Sequence, residues 1–306
     1  MSKLACIIVT YNRFTKFKKA LDAYAKQTVA PDILIVVNNN SMDETTQNYL
    51  DKWEQEPQKD TKHVVLAFED NKGSAGGFMA GCKKAIALGA EWIWLAPDDA
   101  YPEEDAIAKL QSVLESRQVT EKTVAICGSV YEEGKPALLH RQRYQAKLWS
   151  FKEIPVQEIE YQQDDFEVQL CSSVGLVVRA SVIEDIGHVD PAYFIYATDL
   201  GYSYQLSQQG KILCVPAIKV KHDPDIPELD KFRPVDWHYY YQVRNYYYFL
   251  KSFFPLVYRL QWNKEFSKTR MQMKVGHNLM KNDVIVKALE DVRLDKMGLR
   301  KMYRPK

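Results

Sequence analysis

Two adjacent acids, Asp98 and Asp99, follow the apolar run WIWL at residues 92–95. Carboxylates at such a point can hold a hard divalent cation, which bridges a diphosphate and takes up charge on a departing group. A solvated turn ending in a helix cap uses the same residue pair. His222 lies in the run KHDPD; imidazole with a carboxylate is a workable ligand set for Mn2+, although a lone histidine is more often structural. Asp199 stands at the mouth of a helix among Tyr193, Phe194, Tyr196 and Tyr202. A carboxylate there can accept the proton of an attacking hydroxyl as a general base, and Asp is equally a favoured N-cap. The run GSAGGFMAG contains Gly76 and Gly77. It is neither GxGxxG nor a Walker A loop; it lets backbone approach a diphosphate or sugar closely, or serves as a tight loop against a sheet.

The elements that must position these groups follow from periodicity. Residues 4–10 (LACIIVT) form a near-continuous apolar run, as in a strand covered on both faces. Phe14, Phe17, Ala20, Leu21 and Tyr24 recur at three- and four-residue spacing and predict an amphipathic helix. Residues 33–37 (ILIVV) are a second buried strand, and Ser41 or Asp43 can cap a helix over 44–53. Residues 63–68 form a third strand. The glycine-rich stretch is expected as a loop entering a helix that runs to about Leu88, and residues 92–95 form a fourth strand. This alternation predicts an α/β fold of parallel βαβ units with right-handed crossovers, in which ligands bind outside the C-terminal strand ends. Three polar clusters fall at those ends: Thr10-Tyr11-Asn12-Arg13, Asn38-Asn39-Asn40-Ser41 and Asp98-Asp99. Further on, the pattern predicts a helix over 105–116 and strands over 124–128, 171–178 and 211–215. A less regular stretch precedes residue 169, and a helix begins near Asp199.

The chain has 306 residues, 46% hydrophobic and 26% charged, which describes an ordinary folded protein with room for one large α/β domain and an appendage. The apolar N-terminal run is about seven residues, too short for a membrane span and read as a strand rather than a signal peptide. Cys6, Cys82, Cys127, Cys171 and Cys214 are widely spaced, odd in number and set in apolar surroundings, as expected of buried thiols in a reducing compartment. The net charge of +1 hides an asymmetry: residues 251–306 carry fourteen Lys and Arg against five Asp and Glu, leaving the rest acidic. A basic tail suits an anionic partner surface, or is simply a solvated helical face. Before it lies the aromatic run WHYYYQVRNYYYFLKSFFP, suited either to a membrane interface or to the core.

The ordered motifs IIVTYNR, VVNNNSMDET, NKGSAGGFMAG, WIWLAPDDAYP and GHVDPAYFIYATDLGYSYQL, followed by a strand and His222, resemble family 2 glycosyltransferases of the GT-A fold. The passage GGFMAG…WIWLAPDDAYPEEDA, with Trp149 upstream of SSVGLVV, is closest to the galactofuranosyltransferase and rhamnosyltransferase branch. The resemblance covers roughly residues 4–250. It implies a GT-A catalytic domain over residues 1–235, with a nucleotide-sugar half (about 1–100) and an acceptor half (about 101–235), then a helical extension over 236–306. By the same resemblance, Thr10, Asn12 and Arg13 border the nucleotide, and Asn38 falls where the family usually has the Asp that reads the base. Asn39, Gly76, Gly77 and Asp98 complete the donor contacts, and Asp99 and His222 hold Mn2+ or Mg2+. Asp199 is the general base of an inverting single displacement. Pro97, Thr198 and Gly201 stand where the family has acids.

The resemblance implies transfer of a sugar, with galactofuranose from its UDP donor as the leading expectation, onto a glycan or lipid-linked acceptor in cell-surface polysaccharide synthesis. A dTDP-rhamnose or UDP-hexose donor is the nearest rival, and a non-catalytic nucleotide-sugar-binding partner of an assembly complex is the alternative of another class. A nucleic-acid partner is not expected, since the aromatics precede the basic segment rather than interleave with it. The expected location is cytoplasmic, with peripheral contact at the inner face of the membrane through the basic extension.

Overall fold

The protein is described by a computed structural model covering residues 2–41, 44–56, 60–116, 118–225 and 235–305. The cap candidate Asp43 lies outside these residues.

Strand β1 (Leu4–Thr10) is buried along its whole length. Side chains alternate across a strand, so its two faces feed two cores. Ala5, Ile7 and Val9 join one apolar cluster, and Leu4, Cys6 and Ile8 join the other. Both faces are covered, which is why the run reads as continuously apolar. Helix α1 (Phe14–Ala25) buries Phe17, Leu21 and Tyr24 on one side. β2 (Ile33–Asn38), α2 (Glu44–Gln55) and β3 (Lys62–Ala67) follow. Helix α3 (Gly73–Ala87) then buries Phe78 and Cys82 on the opposite side. β4 (Trp92–Pro97) pairs parallel with β1, and β1–β2 and β2–β3 are also parallel.

Beyond β4 come β5 (Ala100–Pro102), α4 (Ala106–Leu114), β6 (Thr123–Glu132) and β7 (Lys135–Pro136). The stretch expected to be irregular contains a hairpin, β8 (Arg141–Lys147) and β9 (Ser150–Pro155), then β10 (Phe166–Val168). The single strand expected over 171–178 is two. β11 (Leu170–Cys171) pairs with the hairpin, and β12 (Leu176–Arg179) enters the main sheet antiparallel between β4 and β6. Gly175 makes the crossing; its φ of 69° belongs to the left-handed region, and a Cβ there would lie 2.8 Å from Val220. α5 (Ala180–Ile186) and α6 (Thr198–Gln209) lead to β13 (Lys211–His222). The main sheet runs β10-β13-β6-β12-β4-β1-β2-β3.

β13 extends beyond the expected end at Val215. Its pairing with β6 skips residues 216–218, where Pro216 has no N–H to give the ladder, and resumes at Lys219. The resumed half carries the chain to His222.

Three helices close the chain: α7 (Trp237–Phe253), α8 (Pro255–Lys274) and α9 (Leu279–Arg293). α7 is not a surface element, because Phe249 and Leu250 belong to the same apolar cluster as β1, and Tyr240 and Tyr241 are fully buried against Phe194. Tyr240, Tyr241 and Phe249 of the aromatic run are therefore interior packing, while Tyr239, Tyr246 and Tyr247 stay part-exposed.

Candidate active site

The C-terminal ends of β1, β2, β4 and β13 open into one cleft with two lobes of about 300 and 490 Å3. The smaller is lined by Thr10, Asn12, Arg13, Asn39, Asn71 and Asp98, and the larger by Asp99, His140, Ser173, Asp199 and His222. Arg13, Phe78 and Pro97 belong to both.

Asp98 is fully buried at the head of the turn after β4. It accepts from Thr10 Oγ1 at 2.8 Å and from the Arg13 guanidinium, which also donates to Asp99 Oδ2 at 2.8 Å. Burial raises Asp98 to about 6, with Arg13 pulling against it. Asp99 is held low. Burial opposes its ionisation, but His222 and Arg13 together overcome that.

His222 reaches Asp99 through strand register. β13 pairs with β5 so that His222 lies opposite Ala100, and with β6 so that Lys221 lies opposite Tyr131. Its Nδ1 is 2.7 Å from Glu132 Oε1, and its Nε2 is 3.5 Å from Asp99 Oδ1. Burial alone would lower His222; the two carboxylates raise it to about 9. Asp99 Oδ1 is buried without a hydrogen-bond partner. Two ligands bound ~2.1 Å from one cation lie ~3.0 Å apart at a right angle and ~3.5 Å apart at an angle of ~110°. The facing oxygen and nitrogen therefore fit a shared divalent ion, with Glu132 orienting the imidazole from behind. Glu132, His140 and His222 also bring ligand atoms within 4.8 Å of one another. His140 bonds Ser172 Oγ at 2.7 Å through Nδ1 and contacts Glu132 through Nε2, and burial lowers it to about 4. Sequence reading missed Glu132 and His140, because neither sits in a motif and only the β6–β13 pairing brings Glu132 to His222.

Asp199 is not a helix cap. Ala197, with φ of 51°, holds the N-cap position of α6, and Asp199 is the second residue inside. It lines the larger lobe. Burial raises its pKa, against hydrogen bonds from Ser173 that lower it. Three residues with positive φ, Phe194, Tyr196 and Ala197, turn the chain into α6. Asn245 of α7 fastens that turn, its Nδ2 lying 2.6–2.8 Å from the carbonyl oxygens of Tyr193, Ile195 and Tyr196.

Other sequence candidates are distributed unevenly. Asn39 lines the smaller lobe and braces Asn71 and the Lys72 amide. Asn38 lines neither lobe; its Oδ1 accepts from the Ser41 amide and its Nδ2 donates to Gln47. Gly76 and Gly77 lie inside α3 rather than in a loop, and also line neither lobe. A Cβ on Gly77 would come 2.5 Å from Val9 Cγ1, so this glycine lets the helix pack close on β1. The glycine at the cleft is Gly73, with φ of 71°, where a Cβ would strike the Phe194 carbonyl. Gly201 faces inward, where a Cβ would lie 2.5 Å from Tyr193 Oη. Trp149 is exposed at the β8–β9 turn and lines neither lobe.

The sequence profile of glycosyl transferase family 2 matches residues 5–187, more than half of the chain. The chain belongs to this family. Among family 2 relatives, the galactofuranosyltransferase GlfT1 of Mycolicibacterium smegmatis is 33% identical over 125 residues, covering 40% of this chain and 39% of that protein. The match thus spans about two fifths of that relative's length. The O-antigen chain rhamnosyltransferase RfbN of Salmonella typhimurium is 25% identical over 235 residues, covering 76% of this chain and 69% of that protein. Among solved structures, GalNAc-T7 with UDP, GalNAc and Mn2+ superposes with a TM-score of 0.65 at 13% identity, over 97% of this chain and 57% of that one. S. aureus TarS 1-349 in complex with UDP-GlcNAc gives 0.58 at 15% identity, over 95% and 80%. At these identities the likeness establishes the fold, which is GT-A, and nothing finer.

Proposed function

We propose that this chain is an inverting, metal-dependent glycosyltransferase that moves a sugar from a nucleoside-diphosphate donor, UDP-galactofuranose first among them, to a glycan or lipid-linked acceptor. The observation that carries the reading is the sharing of one lobe by Asp199 and the facing pair Asp99 and His222. The smaller lobe, with Thr10, Asn12, Arg13, Asn39 and Asp98, is suited to the nucleoside. A divalent cation on Asp99 and His222 would supply charge neutralisation for the diphosphate. Asp199 takes the acceptor hydroxyl proton while that oxygen bonds the anomeric carbon and the bond from that carbon to the diphosphate oxygen breaks. Its raised pKa suits a base working near neutrality. Rhamnosyl transfer is the second reading, favoured by the longer match to RfbN.

The test is release of nucleoside diphosphate from UDP- and dTDP-sugars, with Mn2+ or Mg2+ and after chelation. Turnover of one donor that chelation stops and metal restores is expected. Donor binding with no turnover under any metal, acceptor glycans included, would favour the non-catalytic alternative.

A further inference from the structure

Helix α8 presents a face that the fold does not use. Val257 is buried in the apolar cluster that holds Phe249 and Leu250, Thr269 is buried, and Trp262 Nε1 donates to the Leu289 carbonyl of α9 at 2.9 Å. The outer side of α8 carries Leu256, Leu260, Met271 and Val275, and the turn into α9 adds Leu279 and Met280. These are well exposed: Met271 by 66%, Val275 by 76% and Met280 by 72%. At 100° per residue, the four on α8 fall within an arc of roughly 100°, as one pair in the first turns (Leu256, Leu260) and one in the last (Met271, Val275), with Lys264 and Ser267 in the same arc between them. Lys274 also lies within the arc, Lys268 just past one edge, and Arg270 and Arg259 past the other. Between Leu256 and Lys281 there are six Lys and Arg and one acid, Glu265.

We propose that this face of α8, with the turn into α9, docks on an anionic lipid bilayer. Exposed apolar side chains interspersed with basic ones suit a membrane interface, the apolar groups entering the acyl boundary and the cations meeting the headgroups. The charge distinguishes a lipid surface from a second copy of this chain, because two copies meeting through this face would bring like charges together. No helix among the described residues is long and apolar enough to cross a membrane, so contact through this face is peripheral. The face lies outside the cleft, and the proposal stands independently of which sugar is transferred.

The test is flotation of the full chain with vesicles of phosphatidylcholine alone or mixed with phosphatidylglycerol, at low and high salt. The expected result is binding to the mixed vesicles only, weakened by salt. Leu256→Ser with Leu260→Ser and Met271→Ser should reduce the partition by at least about tenfold. Lys264→Glu with Lys268→Glu should reduce it by about fivefold or more for each charge. Circular dichroism and turnover with a soluble acceptor should be unchanged in both variants. Failure to bind mixed vesicles, or equal binding to both kinds, would overturn the proposal. So would a dimer in sedimentation equilibrium that the serine variant dissociates while vesicle binding is absent.

Discussion

Glu132 holds His222 from behind: its Oε1 lies 2.7 Å from His222 Nδ1, leaving Nε2 facing Asp99. Such a partner fixes the imidazole's tautomer and its aim, and loss of one costs ~10- to 100-fold in metal affinity or activity. Glu132→Ala should show that loss in a Mn2+ titration of activity, and Glu132→Gln, which keeps an acceptor oxygen, should recover part of it. Unchanged Mn2+ dependence in the alanine variant would remove Glu132 from this role.

Asp199→Asn should lower kcat by ~10^2- to 10^4-fold while leaving donor affinity intact. The base must be ionised to act, so kcat falls as pH drops through its pKa. Because burial raises that pKa, the acid limb should lie above the ordinary carboxylate range. Ser173→Ala removes the side-chain hydrogen bond that lowers it, while the backbone one remains, and should move the limb further up. A wild-type limb at or below ~4 would contradict the burial argument.

Gly201 is a packing residue. Gly201→Ala brings a Cβ to 2.5 Å from Tyr193 Oη and should destabilise the fold by ~1–3 kcal/mol. Tyr193 Oη is buried and has no hydrogen-bond partner, so Tyr193→Phe removes the closest atom without stranding another and leaves the ring carbon Cζ at 2.9 Å. The double variant should regain part of the loss in denaturant melts; additive losses would show that the clash lies elsewhere.

Asn245 links the closing helices to the turn before α6. Asn245→Ala leaves the Tyr193, Ile195 and Tyr196 carbonyls without this donor and should cost ~1–3 kcal/mol. It should also lower kcat more than it raises the donor KM, because the turn carries Asp199. A pure loss of stability with kcat intact would confine Asn245 to a structural role.

The local pattern was sufficient for the parallel half of the sheet. β1, β2 and β4 are buried on both faces, so their apolar runs are unbroken, and their polar ends mark where a ligand site forms. Asp99, His222 and Asp199 were legible because the order of motifs selected them, and they do meet in one lobe. The pattern misled at Gly76 and Gly77, since a glycine that admits a neighbouring helix looks the same in sequence as one that admits a ligand.

What only the tertiary structure decided is cross-strand register. Glu132 and His222 are ninety positions apart, and nothing local ties them; the skip at residues 216–218 of β13 fixes their meeting. The aromatic run of α7 was equally ambiguous, because burial of a Tyr or Phe depends on what lies opposite it. Sequence by itself determined which groups can do chemistry and the elements that carry them. Pairing between distant strands, and packing of α7 beneath the turn before α6, determined which of those groups face one another.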